Sequence, residues 1–196
     1  MAKILGANSE VGVLKTVMVC HPGLAHERLT PSNCSDLLYD DVIWVEQAKR
    51  DHRDFVLKME DRGIRVLEMH DLLEQVLDLP EGRKYILDQR IIPGYIGVLM
   101  AREARPWLDE MPSPQLARHL IGGIATSELP FPHEGIFSSY LDDDGFVLAP
   151  LPNSTYTRDT TCCIYGGVTL IPMFCPALQQ ETLLTASLYN YHPFFT

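Results

Sequence analysis

Nowhere in this chain do two cysteines stand in the C-x-x-C spacing of a zinc ribbon or redox motif, and the five present (Cys20, Cys34, Cys162, Cys163, Cys175) are odd in number. No basic, apolar, small-residue leader precedes the first predicted strand. No uninterrupted apolar run approaches the roughly 18 residues that cross a bilayer. A reduced, cytoplasmic compartment is the default expectation. Basic residues are scarce: 16 Lys and Arg against 26 Asp and Glu leave a formal charge of −10. That sign argues against nucleic acid and against an anionic membrane surface as partners, and it suits a cationic small molecule. Neither Gly122-Gly123 nor Gly166-Gly167 has the spacing of a phosphate-cradling loop.

What is there reads as a globular α/β protein. With 46% hydrophobic and 21% charged residues over 196 positions, the chain can bury one large core or two small ones. Leu14 to Pro22 ("LKTVMVCHP") is strand-like, and Pro22 stops it. After a polar loop, Val45, Ala48, His52, Phe55, Val56 and Met59 recur at spacings of three and four, one apolar helix face. Asp40 and Asp41 favour the helix start, and Gly63 stands where a C-terminal cap belongs. Ile64 to Met69 then reads as a second strand. Strand, helix, strand predicts a βαβ-like unit.

Between His70 and Pro132 the pattern turns to short helical segments punctuated by Pro80, Pro93, Pro112 and Pro114. Ser113 is read as an N-cap with Pro114 in the first turn. The expected organisation is therefore α/β residues 1–69, an inserted helical domain over 70–132, and a return to α/β over 133–196. Asp142 to Asp144 with Gly145 read as a solvated turn. Thr161 to Pro172 reads as a strand pair or one bent strand, with Gly166-Gly167 at the bend. Pro176 to Tyr191 reads as a helix with Leu183, Leu184 and Leu188 on one face. The chain stops soon after that helix, at "HPFFT", as an incomplete chain would. The strand Cys162 to Leu170, the Leu183/Leu184/Leu188 face and the aromatics Tyr191, Phe194 and Phe195 are then expected to lack partners and to favour aggregation.

Several residues invite chemistry. In "PNSTYTRDTT", Asp159 either forms a solvated surface pair with Arg158 or grips a planar cation, its carboxylate taking two N–H bonds while Tyr156 stacks on the flat face. Local spacing permits both. His21 and His26 share one loop without a metal motif, so surface or capping roles are expected. His52 falls on an apolar helix face and reads as a packing residue. Cys162 and Cys163 have no base near them in sequence and make poor nucleophile candidates.

Taken in order, "VMVCHPGLAHERLTPSNC", "LLYDDVIWVEQAKRDHRDF", "RGIRVLEMHDLL", "LIGGI" and "LPNSTYTRDTT" followed by "IYGGVTL" resemble the N-terminal part of the bacterial arginine deiminases, guanidine-modifying enzymes of the pentein superfamily. The resemblance implies a five-bladed α/β propeller with an inserted helical bundle, here a partial one. It implies hydrolysis of L-arginine to L-citrulline and ammonia through a covalent cysteine amidino-thioether, with no metal or organic cofactor. L-arginine or a related guanidine would be the ligand, and a homo-oligomer is open to the full-length protein, whose oligomeric state the sequence leaves undecided.

By the same resemblance Asp159 matches a guanidinium-binding, catalytic aspartate. Tyr156 stands where the family has a Phe against the substrate, and Asn153 matches an asparagine at the amino-acid end. The family's nucleophilic cysteine, its histidine, a second aspartate and a glutamate belong to its C-terminal part, so this chain is expected to be inactive alone. Where the family reads Ala-Arg-Arg-Gln-Glu-Thr, this chain reads Ala177-Leu178-Gln179-Gln180-Glu181-Thr182. Leu178 thereby replaces an arginine that pairs with the substrate carboxylate. The alternative is a degenerate, non-catalytic fragment that acts, if at all, as a binding protein.

Overall fold

The computed structural model describes residues 6–131 and 145–196. Asp142 to Asp144, read above as part of a turn, lie outside the described residues.

The first strand, β1 (Thr16–Val19), is followed by a one-turn helix α1 (Leu24–Glu27) and the long helix α2 (Val45–Glu60) before β2 (Arg65–Glu68). The two strands pair in parallel, Thr16 opposite Arg65 and Val19 opposite Glu68. This is the predicted βαβ-like unit. Gly63 takes φ +73, its N–H reaches Glu60 O at 2.8 Å, and Ile64 N–H reaches Met59 O at 3.1 Å. That bond pair is a glycine-closed helix end, as the sequence predicts. The helix start differs. α2 begins at Val45, and Asp41 instead turns its carboxylate onto the neighbouring Val42 N–H at 2.7 Å. An aspartate that satisfies its local backbone this way favours a turn over a helix. Phe55 also departs from the expected apolar face and is 56% exposed, whereas Met59 is buried.

Five helices follow: α3 (Met69–Leu77), α4 (Pro80–Arg90), α5 (Pro93–Ile96), α6 (Val98–Glu110) and α7 (Ser113–Gly122). Pro80 and Pro93 open their helices, where a missing N–H costs nothing. At α7 the N-cap is Pro112, one residue earlier than predicted. The Ser113 hydroxyl is engaged elsewhere and accepts from Arg83 Nη2 at 2.8 Å. Arg83 also donates to the carbonyls of Leu77 (3.0 Å), Leu108 (3.2 Å), Asp109 (3.0 Å) and Met111 (2.8 Å). One guanidinium thus satisfies the open C-terminal ends of α3 and α6 and ties both to the start of α7.

Gly123 closes α7 at φ +83 and leads into β3 (Ile124–Ala125), which pairs antiparallel with β4 (Phe146–Leu148). A Cβ at Gly123 would lie 2.6 Å from Leu148 O, so only glycine fits. A short 3-10 turn (Pro152–Thr155) then precedes the antiparallel hairpin of β5 (Thr161–Ile164) and β6 (Gly167–Leu170). The bend is at Tyr165-Gly166, one residue before the predicted Gly166-Gly167. Tyr165 itself takes φ +52 and exchanges two backbone hydrogen bonds with Ala7. The final helix is α8 (Pro176–Tyr191).

The described residues hold three separate two-stranded sheets and do not show a closed propeller blade. Their main core is helical. Leu73, Val76, Ile86, Leu87, Leu116, Leu120, Leu184 and Leu188 are all fully buried in one cluster that also takes in Cys20, Ile124, Leu148 and Leu151. The Leu184/Leu188 face of α8 is therefore packed, against α3 and α4, contrary to the expectation that it lacks partners. The C-terminal aromatics are likewise covered. Tyr191 packs on Tyr85 (5.2 Å between centroids), and Phe194, 9% exposed, lies beneath the Arg65 guanidinium at 4.5 Å. The hairpin β5–β6 fits the expectation better: Cys163, Ile164, Thr169 and Leu170 are exposed.

Candidate functional site

Parallel pairing of β1 and β2 places the residues that follow both strands side by side, at the carboxyl ends where α/β proteins gather functional groups. Cys20 and His21 leave β1, while Glu68 ends β2 and caps α3, just ahead of His70. Glu68 Oε1 accepts from His21 N–H (3.1 Å), His21 Nδ1 (3.1 Å) and His70 Nδ1 (3.1 Å). Burial opposes ionisation of this carboxyl, but the hydrogen bonds from the two imidazoles outweigh it and hold it at about 2. The His21 and His70 rings stack with centroids 4.0 Å apart. Cys20 Sγ lies 3.9 Å from His70 Nδ1, and burial first, then Glu68 and Glu181, push its thiol well up. Sequence reasoning placed His21 at the surface or in a cap. Its partnership with Glu68 went unread because 47 residues separate them.

A small cleft of about 10 Å³, the space of a single water, opens between Cys20, His21, His26, His70, Ser154 and Thr155. His26 is 5% exposed, which corrects the expectation of a surface residue and keeps that of a cap. Its Nδ1 accepts the Gly23 N–H (3.3 Å), so Nε2 carries the proton toward Tyr39 Oη and Thr155 Oγ1, both at 3.1 Å. Burial pushes His26 down to about 4. The Tyr39 hydroxyl donates in turn to Pro152 O at 3.2 Å, fastening the loop after α1 to the 3-10 turn.

That turn and the loop that follows it carry the three residues picked out in the sequence. Tyr156 N–H bonds Asn153 O (2.8 Å) and Asp159 N–H bonds Tyr156 O (3.0 Å), so Asn153, Tyr156 and Asp159 succeed one another on consecutive turns. Asn153 donates its side-chain amide to Leu37 O at 2.8 Å. Tyr156 is 54% exposed, and Asp159 is exposed as well. Arg158 does not pair with Asp159. Its Nη2 bridges both oxygens of Glu10, at 3.0 and 2.9 Å. The surface Arg158–Asp159 pair is thus overturned, and Asp159 has no ion-pair partner among the described residues.

Near Asp159 lie two buried ionisable residues that sequence reasoning did not single out. Glu181, on α8, is 1% exposed, and burial, reinforced by the Asp159 charge, pushes its carboxyl up to about 8 against the pull of Arg90. Arg90 is also buried; it donates Nη2 to Ala149 O at 2.9 Å, and burial lowers its guanidinium to about 10. Glu181 Oε1 and Arg90 Nε have no hydrogen-bond partner among the described residues. Leu178, half-buried on the first turn of the same helix, has no polar atom to offer a ligand there. Cys162 and Cys163 lie in β5, half-buried and exposed, and all five cysteines are free thiols.

The cleft is too small for an amino acid, and the exposed Asp159 and Tyr156 are not among the residues that line it. Among the described residues no helix is long and apolar enough to cross a membrane. A comparison with known protein families aligns residues 35–196 with the family model for arginine deiminase. That span includes α2, the helical core, the 3-10 turn, Asp159 and the whole of α8. The family implies the pentein fold and guanidine-directed hydrolase chemistry in principle. With most of its length matched, the chain belongs to the arginine deiminase family.

Proposed function

We propose that this chain supplies part of the substrate pocket of an arginine deiminase. Such an enzyme hydrolyses L-arginine or a related guanidine to the urea product and ammonia. The observation that carries the reading is the exposed Asp159 carboxylate, without an ion-pair partner among the described residues while Arg158 is held by Glu10. A carboxylate in this position accepts two parallel N–H bonds from a guanidinium, and the half-exposed Tyr156 ring, one turn back, offers its face to the planar cation. Asn153 lies one turn further back, where the amino-acid end would reach.

In this reading the chain is an incomplete, pentein-type α/β propeller of the five-bladed plan, divided as 1–69, 70–132 and 133–196, and it works in the cytoplasm. The attacking cysteine, which forms the amidino-thioether, and the proton-moving histidine come from sequence beyond these 196 residues. The isolated chain therefore releases no citrulline from arginine. Neither Cys162 nor Cys163 substitutes, since neither has a base beside it in β5.

The test uses a parent protein that carries the family's cysteine and histidine. Asp159→Asn preserves shape and removes the charge facing the guanidinium, which lowers kcat/KM by about two orders of magnitude or more. The melting temperature stays within a degree or two, because Asp159 holds no ion pair among the described residues. Loss of folding in that variant, or unchanged kcat/KM, would overturn the assignment. Leu178→Arg in the same protein is expected to lower KM for arginine while leaving KM for a guanidine without a carboxylate unchanged.

A further inference from the structure

The cluster at the ends of β1 and β2 has a property that arginine hydrolysis does not use. Cys20, Glu68 and His70 each offer one ligand atom, and these atoms all lie within 4.8 Å of one another. The Cys20 Sγ to His70 Nδ1 distance is 3.9 Å and the His70 Nδ1 to Glu68 Oε1 distance is 3.1 Å. In a tetrahedral site with bonds of about 2.3 Å to sulfur and about 2.0 to 2.2 Å to nitrogen and oxygen, neighbouring ligand atoms are roughly 3.3 to 3.6 Å apart. The Cys20–His70 and His70–Glu68 separations thus come within a few tenths of an ångström of those values, and Cys20 Sγ lies within 4.8 Å of the Glu68 carboxylate.

We propose that Cys20, Glu68 and His70 form a three-ligand site for a thiophilic divalent transition metal of the zinc class, with a water from the adjoining cleft in the fourth position. The donor set decides the class of ion. One sulfur, one imidazole and one carboxylate suit zinc or cobalt and disfavour magnesium and calcium, which take oxygen ligands. Two anionic ligands balance a divalent charge. Glu68 turns Oε1 toward His70 Nδ1, and its Oε2 takes no hydrogen bond among the described residues. His21 supports the site from outside: it hydrogen-bonds Glu68 and stacks on the His70 ring. The scaffold is rigid, since the parallel pair fixes Cys20 against Glu68 and α3 fixes His70. The cleft lined by Cys20, His21 and His70 gives space for the ion's water.

The experiment is a Co²⁺ titration of the metal-free 196-residue chain, followed by X-ray absorption of the Zn²⁺-loaded protein. One equivalent of Co²⁺ is expected to produce a thiolate-to-cobalt charge-transfer band that Zn²⁺ abolishes. The zinc shell is expected to contain one sulfur at about 2.3 Å with nitrogen and oxygen neighbours. Cys20→Ser removes the band, and Glu68→Gln or His70→Ala weakens Co²⁺ binding at least about tenfold. A variant with Cys162, Cys163 and Cys175 all changed to serine keeps the band, as does Cys34→Ala. A sulfur-free zinc shell overturns the proposal even if Cys20→Ser does not fold. So does a band that survives Cys20→Ser or disappears in the triple variant.

Discussion

His26 shows how much a single side chain depends on where the fold puts it. In the sequence it is one loop histidine among two. In the structure its Nδ1 accepts Gly23 N–H while burial holds the ring neutral, with its ionisation lowered to about 4 from an ordinary 6.5. A group whose folded pKa is depressed contributes stability above its unfolded pKa and loses it as pH falls through the folded value. Here the window runs from about 6.5 down to about 4. Across it the chain is expected to lose up to roughly 3 kcal/mol from this residue alone. His26→Gln, which keeps a polar side chain but does not titrate there, flattens that part of the profile. Urea denaturation at several pH values between 4 and 7 measures it. A His26→Gln profile as steep as that of the unmodified chain would place the acid sensitivity elsewhere.

At the scale of elements, the helices are joined by polar links as much as by their apolar faces. Arg83 is the clearest case, since it caps α3 and α6 and fixes Ser113 at the start of α7. Arg83→Ala leaves several helix-end carbonyls without their donor, each costing about 1 kcal/mol or more where water does not reach. A loss of roughly 2 to 4 kcal/mol is expected, measured by chemical denaturation. Arg83→Lys recovers little of it, because a point ammonium cannot span the carbonyls at two helix ends together with the Ser113 hydroxyl. Recovery of most of the stability with lysine would show that charge, rather than the forked geometry, holds the helix ends. Sequence periodicity identified these helices but could not identify Arg83. An arginine in an exposed-looking position carries no mark of the carbonyls it will meet.

For the whole molecule, α8 decides how the parts hold together. It closes over α3 and α4 with Leu184 and Leu188 fully buried, and His192 Nε2 meets Gln75 Oε1 at 3.0 Å beyond its end. Leu188→Ala is expected to cost about 2 to 5 kcal/mol, as for other large-to-small changes in a packed core. Its effect should reach residues of α3 and α4 distant in sequence, which hydrogen exchange on those helices reports. The hairpin β5–β6, with its exposed side chains, is expected to exchange faster than the helical core. Strong, equal protection of hairpin and helices would contradict this division.

The order of strand, helix and strand, the glycine end of α2, and the helix series punctuated by prolines were all legible in the sequence. They arise from local rules: apolar spacing, φ limits and missing N–H groups act within a few residues. Family membership was legible too, because motifs such as "LPNSTYTRDTT" occur in a fixed order. What only the tertiary structure decided are meetings between distant residues. Arg158 turns to Glu10 rather than to its neighbour Asp159, and His21 and His70 converge on Glu68. Glu181 and Arg90 are both buried, each within reach of the other's charge, and the face of α8 finds α3 and α4. Each of these is set by which surfaces the core brings together. Burial then changes what a group does, by removing the water that would otherwise solvate its charge, and neither effect leaves a trace in local sequence.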